Sequence, residues 1–235
     1  MALPKLNTPT YELVLPSTGE KIKYRPFLVR EQKILMVAQE SNEEAQIASS
    51  IGDLVKSCTF GKVDPKSAPL FDIEFLFLRI RGKSVGESTK VNITCPDDNE
   101  TKVMVSVNLE DIDVHMTADH DNTIKINNDV TIHMRYPILA DLQGGFFDED
   151  MTSRVFDIMN SCITKIEWGE NIYDRSDITK KEMEEFVDSL DNNNLESVMK
   201  FFDTMPKLRH VVNIVNPKTK VKSEVVLEGL QTFLD

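Results

Sequence analysis

Few residue groups in this sequence have the spacing that a catalytic or metal site requires. Gly82-Lys83-Ser84 looks like the end of a phosphate-binding loop, but Phe77 stands where that motif needs a glycine for its tight turn. Cys95-Pro96 lies at a predicted hairpin tip, as in a zinc knuckle, but Asp98 replaces the second cysteine of a Cys-x-x-Cys pair. These two patterns therefore predict a helix end and a turn, rather than a phosphate or zinc site.

Histidine and cysteine residues give no stronger prediction. His115, Asp119 and His120 lie close together and could bind a divalent cation, which makes a metal-dependent hydrolase the remote alternative. Their spacing matches no specific type of metal site, and a solvated acidic linker is the simpler interpretation. Cys58 and Cys162 each follow a serine near a helix end without a histidine placed as a base, which predicts buried structural cysteines. The sequence therefore predicts no enzyme: no catalytic residue, no cofactor and no metal.

Three aromatic residues are candidates for contacts with a partner protein, because buried aromatic side chains dominate interface energetics. Phe146 and Phe147 follow two glycines in a predicted bend, and Trp168 is the only tryptophan of the chain. Packing in the core is the more ordinary interpretation for all three side chains.

Composition narrows the possible partners. The chain has 235 residues, of which 40% are hydrophobic, so it can form one large or two small domains. A net charge of −12 disfavours binding to nucleic-acid phosphates or to anionic membranes. Three cysteines are too few for a disulfide framework, and there is neither a signal-peptide core nor a long apolar run. We expect a protein of the cytoplasm, or of an assembly built there, without a small-molecule substrate.

The secondary-structure pattern follows the order hairpin, helices, hairpin, and this order occurs twice. The first half predicts strands at 11–15 and 20–24, helices at 29–40, 42–58 and 70–81, and strands at 90–94 and 102–108. The second half predicts strands at 123–126 and 130–135, helices at 148–166, 176–190 and 195–205, and strands at 208–215 and 221–227. The pattern is typical of an α+β fold.

Short segments of the first half recur in the same order in the second half. The loosely matched pairs are residues 22–28 with 132–139, residues 53–59 with 157–163, and residues 91–96 with 212–217. The offset between partners changes along the chain, which indicates insertions between matched elements rather than a short-period solenoid. The matched residues are apolar, Pro, Arg and Ser-Cys, which are framework types.

We therefore predict two pseudo-repeated units, each consisting of a β-hairpin, a helical segment and a second β-hairpin. The predicted division is a first α+β repeat at residues 1–112, an acidic linker at 113–122, and a second repeat with a helical insertion at 123–235.

Several stretches resemble a known protein family. They are the opening Leu-Asn-Thr-Pro-Thr-Tyr-Glu-Leu-Val-Leu-Pro-Ser-Thr-Gly-Glu-Lys-Ile-Lys-Tyr-Arg-Pro-Phe-Leu-Val-Arg-Glu-Gln-Lys, residues 53–58, the hairpin around Cys95-Pro96, and the ending Leu227-Glu-Gly-Leu-Gln-Thr-Phe. Together they resemble the baseplate hub proteins of T-even-type contractile-tailed bacteriophages. The resemblance runs from about residue 11 to residue 234, although none of its motifs is chemically diagnostic.

This resemblance implies a late, non-enzymatic viral protein that acts in assembly of the central baseplate hub. Its partners would be other hub or tail proteins. Its locations would be the virion tail and, during assembly, the host cytoplasm. Two roles stay open: a structural subunit of the particle, or a transient assembly chaperone that is absent from the mature virion.

Overall fold

The structure is a computed structural model, and it describes residues 7–41, 43–142 and 151–233. The described residues form a mixed α+β fold with helices and four small antiparallel sheets, which confirms the predicted fold class. In chain order the helices and strands are β1 (Tyr11–Val14), β2 (Lys21–Tyr24), α1 (Val29–Ser41), α2 (Glu44–Cys58), α3 (Leu70–Val85), β3 (Ser88–Thr94), β4 (Lys102–Asn108), β5 (Asp113–His115), β6 (Thr123–Lys125), β7 (Val130–Met134), α4 (Met151–Cys162), β8 (Ile163–Trp168), β9 (Asn171–Asp174), α5 (Lys180–Asp188), α6 (Asn192–Thr204), β10 (Lys207–Val215) and β11 (Lys222–Glu228).

The chain forms two compact units, and the second is an insertion in the first. Unit 1 comprises Met1–His115 and Lys207–Asp235, and unit 2 comprises Met116–Pro206. Within unit 1, β5 pairs antiparallel with β10, so that His115 and Lys207 are register partners. This division differs from the predicted one, which assigned the last hairpin to the second unit. The difference arises because β10 and β11 form a sheet with β5, and the sequence pattern of a hairpin does not specify the core that it joins.

Helix α3 is the centre of unit 1. It is apolar on every side, as expected for a helix that is enclosed by other elements. Its buried hydrophobic residues are Phe71, Ile73, Phe75, Leu76, Phe77, Leu78 and Ile80. Helix α2, the hairpin β1–β2, the hairpin β3–β4 and the sheet β11-β10-β5 all contribute side chains to the same core. The alternating strand residues therefore cover a helix that would otherwise expose apolar surface to water.

The tips of the two long hairpins of unit 1 contact each other. Each turn begins with a buried residue before a proline, Cys95 in one and Asn216 in the other. Each turn also has a residue in the left-handed region, Asn99 with φ 55° and Lys220 with φ 66°. The Asn216 side-chain amide donates to both carboxylate oxygens of Asp97 at 3.0 Å. Asn216 therefore satisfies a buried polar group and ties the second hairpin to the first.

Unit 2 packs three helices against the four-stranded sheet β6-β7-β8-β9. Its core contains Ile132 from the sheet, Met159 from α4, Met183 from α5 and Val198 from α6. The predicted helix at 148–166 was wrong at its end, because α4 stops at Cys162 and the chain enters strand β8. The β-branched residues of β8 and a two-residue turn containing Gly169, at φ 60°, form the hairpin β8–β9 instead.

A buried arginine connects the first hairpin of unit 1 to the helices that follow it. The Arg25 guanidinium donates to Glu31 at 2.9 Å and to the Ser57 hydroxyl at 3.0 Å, and its backbone N–H donates to the Cys58 carbonyl at 3.0 Å. Glu31 also accepts from the Leu28 backbone N–H at 2.7 Å. We call this arrangement the arginine brace.

A second arginine brace occupies the corresponding place in unit 2. The Arg135 guanidinium donates to both carboxylate oxygens of Asp141, at 2.6 and 2.9 Å. Its backbone N–H donates to the Cys162 carbonyl at 2.8 Å, and Asp141 accepts from the Ile138 backbone N–H at 2.8 Å. In both braces the acid follows the arginine by six residues, and the arginine N–H reaches the last residue of a helix.

Loss of the Glu31 charge should destabilise unit 1. Burial would raise the pKa of Glu31, but hydrogen bonds from Arg25, Arg30 and the Leu28 N–H outweigh it and hold this pKa at about 2. Because Glu31→Gln leaves the Arg25 guanidinium buried without its carboxylate, we expect a loss of about 3 kcal/mol in unfolding free energy. Urea denaturation at neutral pH measures the loss. Glu12→Gln, in an exposed pair with Lys21, is the control and should change stability little.

The Glu31 carboxylate also makes the stability of the protein depend on pH. Because the folded-state pKa lies below the ordinary value of 4.5, the contribution of Glu31 is complete above about pH 4.5 and is lost as the pH falls toward 2. The stability difference between the parent protein and Glu31→Gln should therefore shrink in acid. A difference that is constant with pH would contradict the brace.

The effect of Glu74 on stability should depend on pH in the opposite direction. It is buried in α3 and accepts a hydrogen bond from the Leu230 backbone N–H at 3.3 Å, and burial raises its pKa to about 7. Its cost to the fold is absent below about pH 4.5, grows as the pH rises toward 7, and levels off above pH 7. Glu74→Gln, which keeps an acceptor for Leu230, should stabilise the protein. We expect this gain to increase by about 2 kcal/mol between pH 5.5 and pH 8 in urea denaturation. A gain that does not increase with pH would show that Glu74 is not protonated in the folded protein.

Candidate interaction surface

The Gly82-Lys83-Ser84 segment lies inside the last turns of α3, where its polar groups have structural partners. The Lys83 ammonium contacts carboxylates of Glu87 at 2.7 Å and Glu110 at 2.5 Å. The Ser84 hydroxyl accepts a hydrogen bond from the Phe27 backbone N–H at 2.9 Å. The helix continues four residues past its predicted end, and the segment connects α3 to neighbouring loops.

All three cysteines are buried, which was the prediction for Cys58 and Cys162. Burial raises the pKa of Cys58 to about 11 and the pKa of Cys162 to about 12. Burial also raises the pKa of Cys95, and the nearby carboxylates of Asp97 and Asp98 add to this effect. Since the thiolate is the reactive form, these three thiols are poorly suited to nucleophilic chemistry or metal binding.

His115, Asp119 and His120 are divided between the two units, with His115 at the end of β5 and the other two residues in unit 2. The His120 ring stacks on Tyr136 with a centroid distance of 5.5 Å, and its Nδ1 lies 2.9 Å from the Thr204 hydroxyl. Burial lowers the pKa of His120. Within residues 7–41, 43–142 and 151–233, no group of three or more His, Cys, Asp or Glu side chains is placed to hold a metal ion.

Of the three predicted contact residues, Trp168 is the one that the structure describes. Phe146 and Phe147 lie outside the described residues. Trp168 is the last residue of β8 and is 59% exposed, so it does not have the core position that was the alternative for it. Its register partners are Val130 on β7 and Asn171 on β9. Trp168 therefore stands at the end of the hairpin β8–β9, where the sheet of unit 2 ends.

Trp168 forms one wall of an apolar groove, which we call the Trp168 groove. Its cavity has a volume of about 410 Å³. The lining residues are Val130, Ile166, Trp168, Tyr173, Asp177, Ile178, Glu182 and Phe186. Helix α5 buries Met183 and Val187 in the core of unit 2, but Trp168 and Tyr173 stay exposed at the end of the sheet. The groove is the space between this uncovered end and α5.

A short sequence motif fixes the helical side of the groove. Thr179 is the N-cap of α5, and its side chain and the Glu182 side chain form a reciprocal capping box. The Glu182 carboxylate accepts from the Thr179 hydroxyl at 2.7 Å and from its backbone N–H at 2.8 Å, and these bonds lower the pKa of Glu182. The Thr-x-x-Glu spacing is the signal that the sequence prediction missed when it began this helix near Ser176.

The electrostatic character of the groove is negative. Asp177 and Glu182 are its charged lining residues, and no lysine or arginine of the described chain lines it. Residues 166–188, which carry most of the lining, contain eight carboxylates and three basic residues. Apolar walls next to uncompensated carboxylates favour a ligand that combines apolar and basic groups.

Other exposed apolar side chains occur in unit 1. One group lies on α1 and consists of Val29, Ile34, Met36 and Val37, and another pairs Val211 with Val226 across β10 and β11. Ile34 of the first group lines a second cavity of about 280 Å³ whose other lining residues are mostly polar, whereas the Trp168 groove is larger and mostly apolar. We therefore regard the Trp168 groove as the leading candidate for a binding site.

None of the helices in the described residues is long and apolar enough to cross a membrane.

Comparison with models of known protein families gives a match. The model of the family described as "T4 bacteriophage base plate protein" matches residues 8–235, which is nearly the whole chain. Searches of curated proteins and of solved structures give no match.

The single tryptophan allows a direct test of the charge in the groove. We expect caesium ions to quench Trp168 fluorescence about two-fold more efficiently than iodide at low salt, once each is normalised to its quenching of the urea-unfolded chain. Asp177→Asn should reduce this preference, and added salt should remove it. Asp188→Asn is the control, because Asp188 is an exposed residue at the end of α5 that does not line the groove. Equal normalised quenching by the two ions would contradict a negative groove.

Proposed function

Because the chain belongs to the T4 bacteriophage base plate protein family, we propose that it is a structural subunit of the central hub of a phage tail baseplate. As a baseplate protein it belongs to the virion tail, and its interactions are with other tail proteins. The proposal adds the hub location, a permanent place in the particle, and partner binding through the Trp168 groove. A presence in the host cytoplasm during assembly follows from the same proposal.

The exposed indole at a concave apolar site is the observation that carries this proposal. Leaving Trp168 59% exposed forgoes most of the hydrophobic free energy that burying a large aromatic ring contributes. Tryptophan is also the residue type most enriched where binding energy is concentrated in protein interfaces. A subunit held in place by neighbouring proteins would cover this surface in the assembled baseplate.

A non-enzymatic role is supported by the contacts of the residues that could have carried chemistry. Lys83, Ser84 and His120 have structural partners. Burial raises the pKa of the cysteine thiols and keeps them in the neutral form. The net charge of −12 supports protein partners over nucleic acid, membrane surfaces or an anionic small molecule.

A transient assembly chaperone is the second candidate function. Its support is the combination of a strongly acidic chain with exposed apolar groups on α1, on β10–β11 and at the Trp168 groove. Such a surface could shield a basic or apolar subunit until it docks.

We further propose that the two predicted repeats derive from one duplicated α+β element. The support is the pair of arginine braces, in which Arg25 and Arg135 follow a hairpin, each bonds an acid six residues later, and each reaches a helix that ends at a cysteine. The last hairpin of the second repeat would then pack on unit 1, beside the corresponding first-repeat hairpin, through the Asp97–Asn216 contact.

The copy number of the protein in purified particles tests the choice between subunit and chaperone. Quantitative mass spectrometry of virions and of infected-cell lysate should give a fixed number of copies per particle. A protein that is abundant in lysate but absent from particles would overturn the subunit proposal in favour of the chaperone.

Substitution of Trp168 tests the proposed contact surface. Trp168→Ala removes an exposed ring, so thermal stability should change little, while incorporation into particles should fall at least ten-fold. Met104→Ala is the control, since Met104 is 61% exposed on β4 of unit 1 and is not part of the groove lining. Normal incorporation of Trp168→Ala would exclude the groove as a required contact.

A further inference from the structure

We propose that the Trp168 groove binds an extended segment of another baseplate protein, which adds as a strand to the free edge of β9 and carries lysine or arginine next to an apolar side chain. This inference rests on the proposed function, and it specifies the chemistry of the partner. Its support comes from the sheet edge, the position of the groove beside that edge, and the charge around both.

Strand β9 offers a free edge for strand addition. It is the last strand in the order β6-β7-β8-β9, and all four of its residues are exposed. The hairpin closes with Trp168 opposite Asn171, so antiparallel alternation makes Ile166 and Tyr173 the next hydrogen-bonded pair. The N–H and C=O of Ile172 therefore point away from β8, and no described residue bonds them. A partner strand could pair with both groups, as in β-strand addition.

The groove begins at this same edge. Tyr173 belongs to β9 and lines the groove, while Ile178 and Phe186 form the opposite side. Because strand side chains alternate between faces, a partner strand beside β9 would direct every second side chain to the Tyr173 face. One such side chain would enter the groove. A cavity of about 410 Å³ is at the lower end of the range for ligand pockets and suits one or two side chains rather than a folded domain.

Charge specifies the remaining features of the segment. Asp177 lies at the groove, and Asp174 ends β9 on the other face of the sheet, so carboxylates flank a partner strand on both faces. A lysine or arginine of the partner segment, next to an apolar residue, would neutralise these carboxylates. The same carboxylates disfavour a second copy of this chain, since its net charge is −12. Lysine and proline, which commonly protect exposed strand edges, are both absent from β9.

Photo-crosslinking during tail assembly tests the inference with the full-length protein. A photoreactive phenylalanine analogue replaces Tyr173 in one variant and Asp188 in another, and mass spectrometry identifies the attached peptides. We expect position 173 to attach to one segment of another baseplate protein, with lysine or arginine within two residues of the attached apolar residue. Position 188, which is exposed but outside the groove lining, should not attach to that segment.

Charge reversal provides a second measurement. Asp177→Lys should lower the yield of the position-173 crosslink at least ten-fold, and Asp188→Lys should leave it unchanged. Asp177 is exposed and is not part of the capping box, so its substitution does not remove the N-cap of α5.

Several outcomes would overturn the inference. They are attachment of position 173 to an acidic segment, to a helical segment or to a second copy of this chain, and the absence of any adduct from particles that contain the protein. The last result would leave the proposed baseplate role intact, because particle copy number establishes that role separately. If the protein were absent from particles, the hub-subunit proposal would fail, and crosslinking in lysate would still decide whether the groove binds a basic, extended segment.

Discussion

The arginine brace is the interaction on which the placement of the other elements depends. A guanidinium group offers five N–H donors in a planar arrangement, so Arg25 can bond a carboxylate, a hydroxyl and a backbone carbonyl at once. Its backbone N–H also bonds the last residue of α2. The end of hairpin β1–β2, the start of α1 and the end of α2 are therefore held at one point. Arg135 does the same in unit 2, with fewer partners among the described residues and with greater exposure.

The pairing of β5 with β10 explains how one chain forms two compact units. Because His115 and Lys207 face each other in the sheet of unit 1, the chain leaves and re-enters at neighbouring positions. Unit 2 can then form its own core without separating the strands of unit 1. The cost is that the sheet β11-β10-β5 joins residues distant in sequence, whose pairing must overcome the loop-closure entropy of the insertion.

Local sequence patterns predicted most elements, because amphipathic periodicity is a local property. Alternation, helical spacing and turn residues predict the hairpins β1–β2, β3–β4, β6–β7 and β10–β11 and the existence of the six helices in the described residues. Strand β8 was assigned to a helix, since an apolar run next to α4 is ambiguous until the turn at Gly169 is recognised. The groove could not be predicted, because it depends on how far α5 covers the sheet. Only the choice of Trp168 as a contact residue pointed toward it.

The Trp168 groove lies outside the interactions that determine the fold of the two units. Buried braces and the enclosed helix α3 fix the two cores, whereas the end of hairpin β8–β9 takes part in neither core. In natural proteins the edge strands of sheets are normally protected by lysine, proline or covering elements, because an exposed edge strand beside apolar surface promotes association. At β9 the protection is limited to short length and negative charge. Negative charge repels other acidic chains but attracts basic ones, so the same residues that keep copies of this protein apart would select its partner.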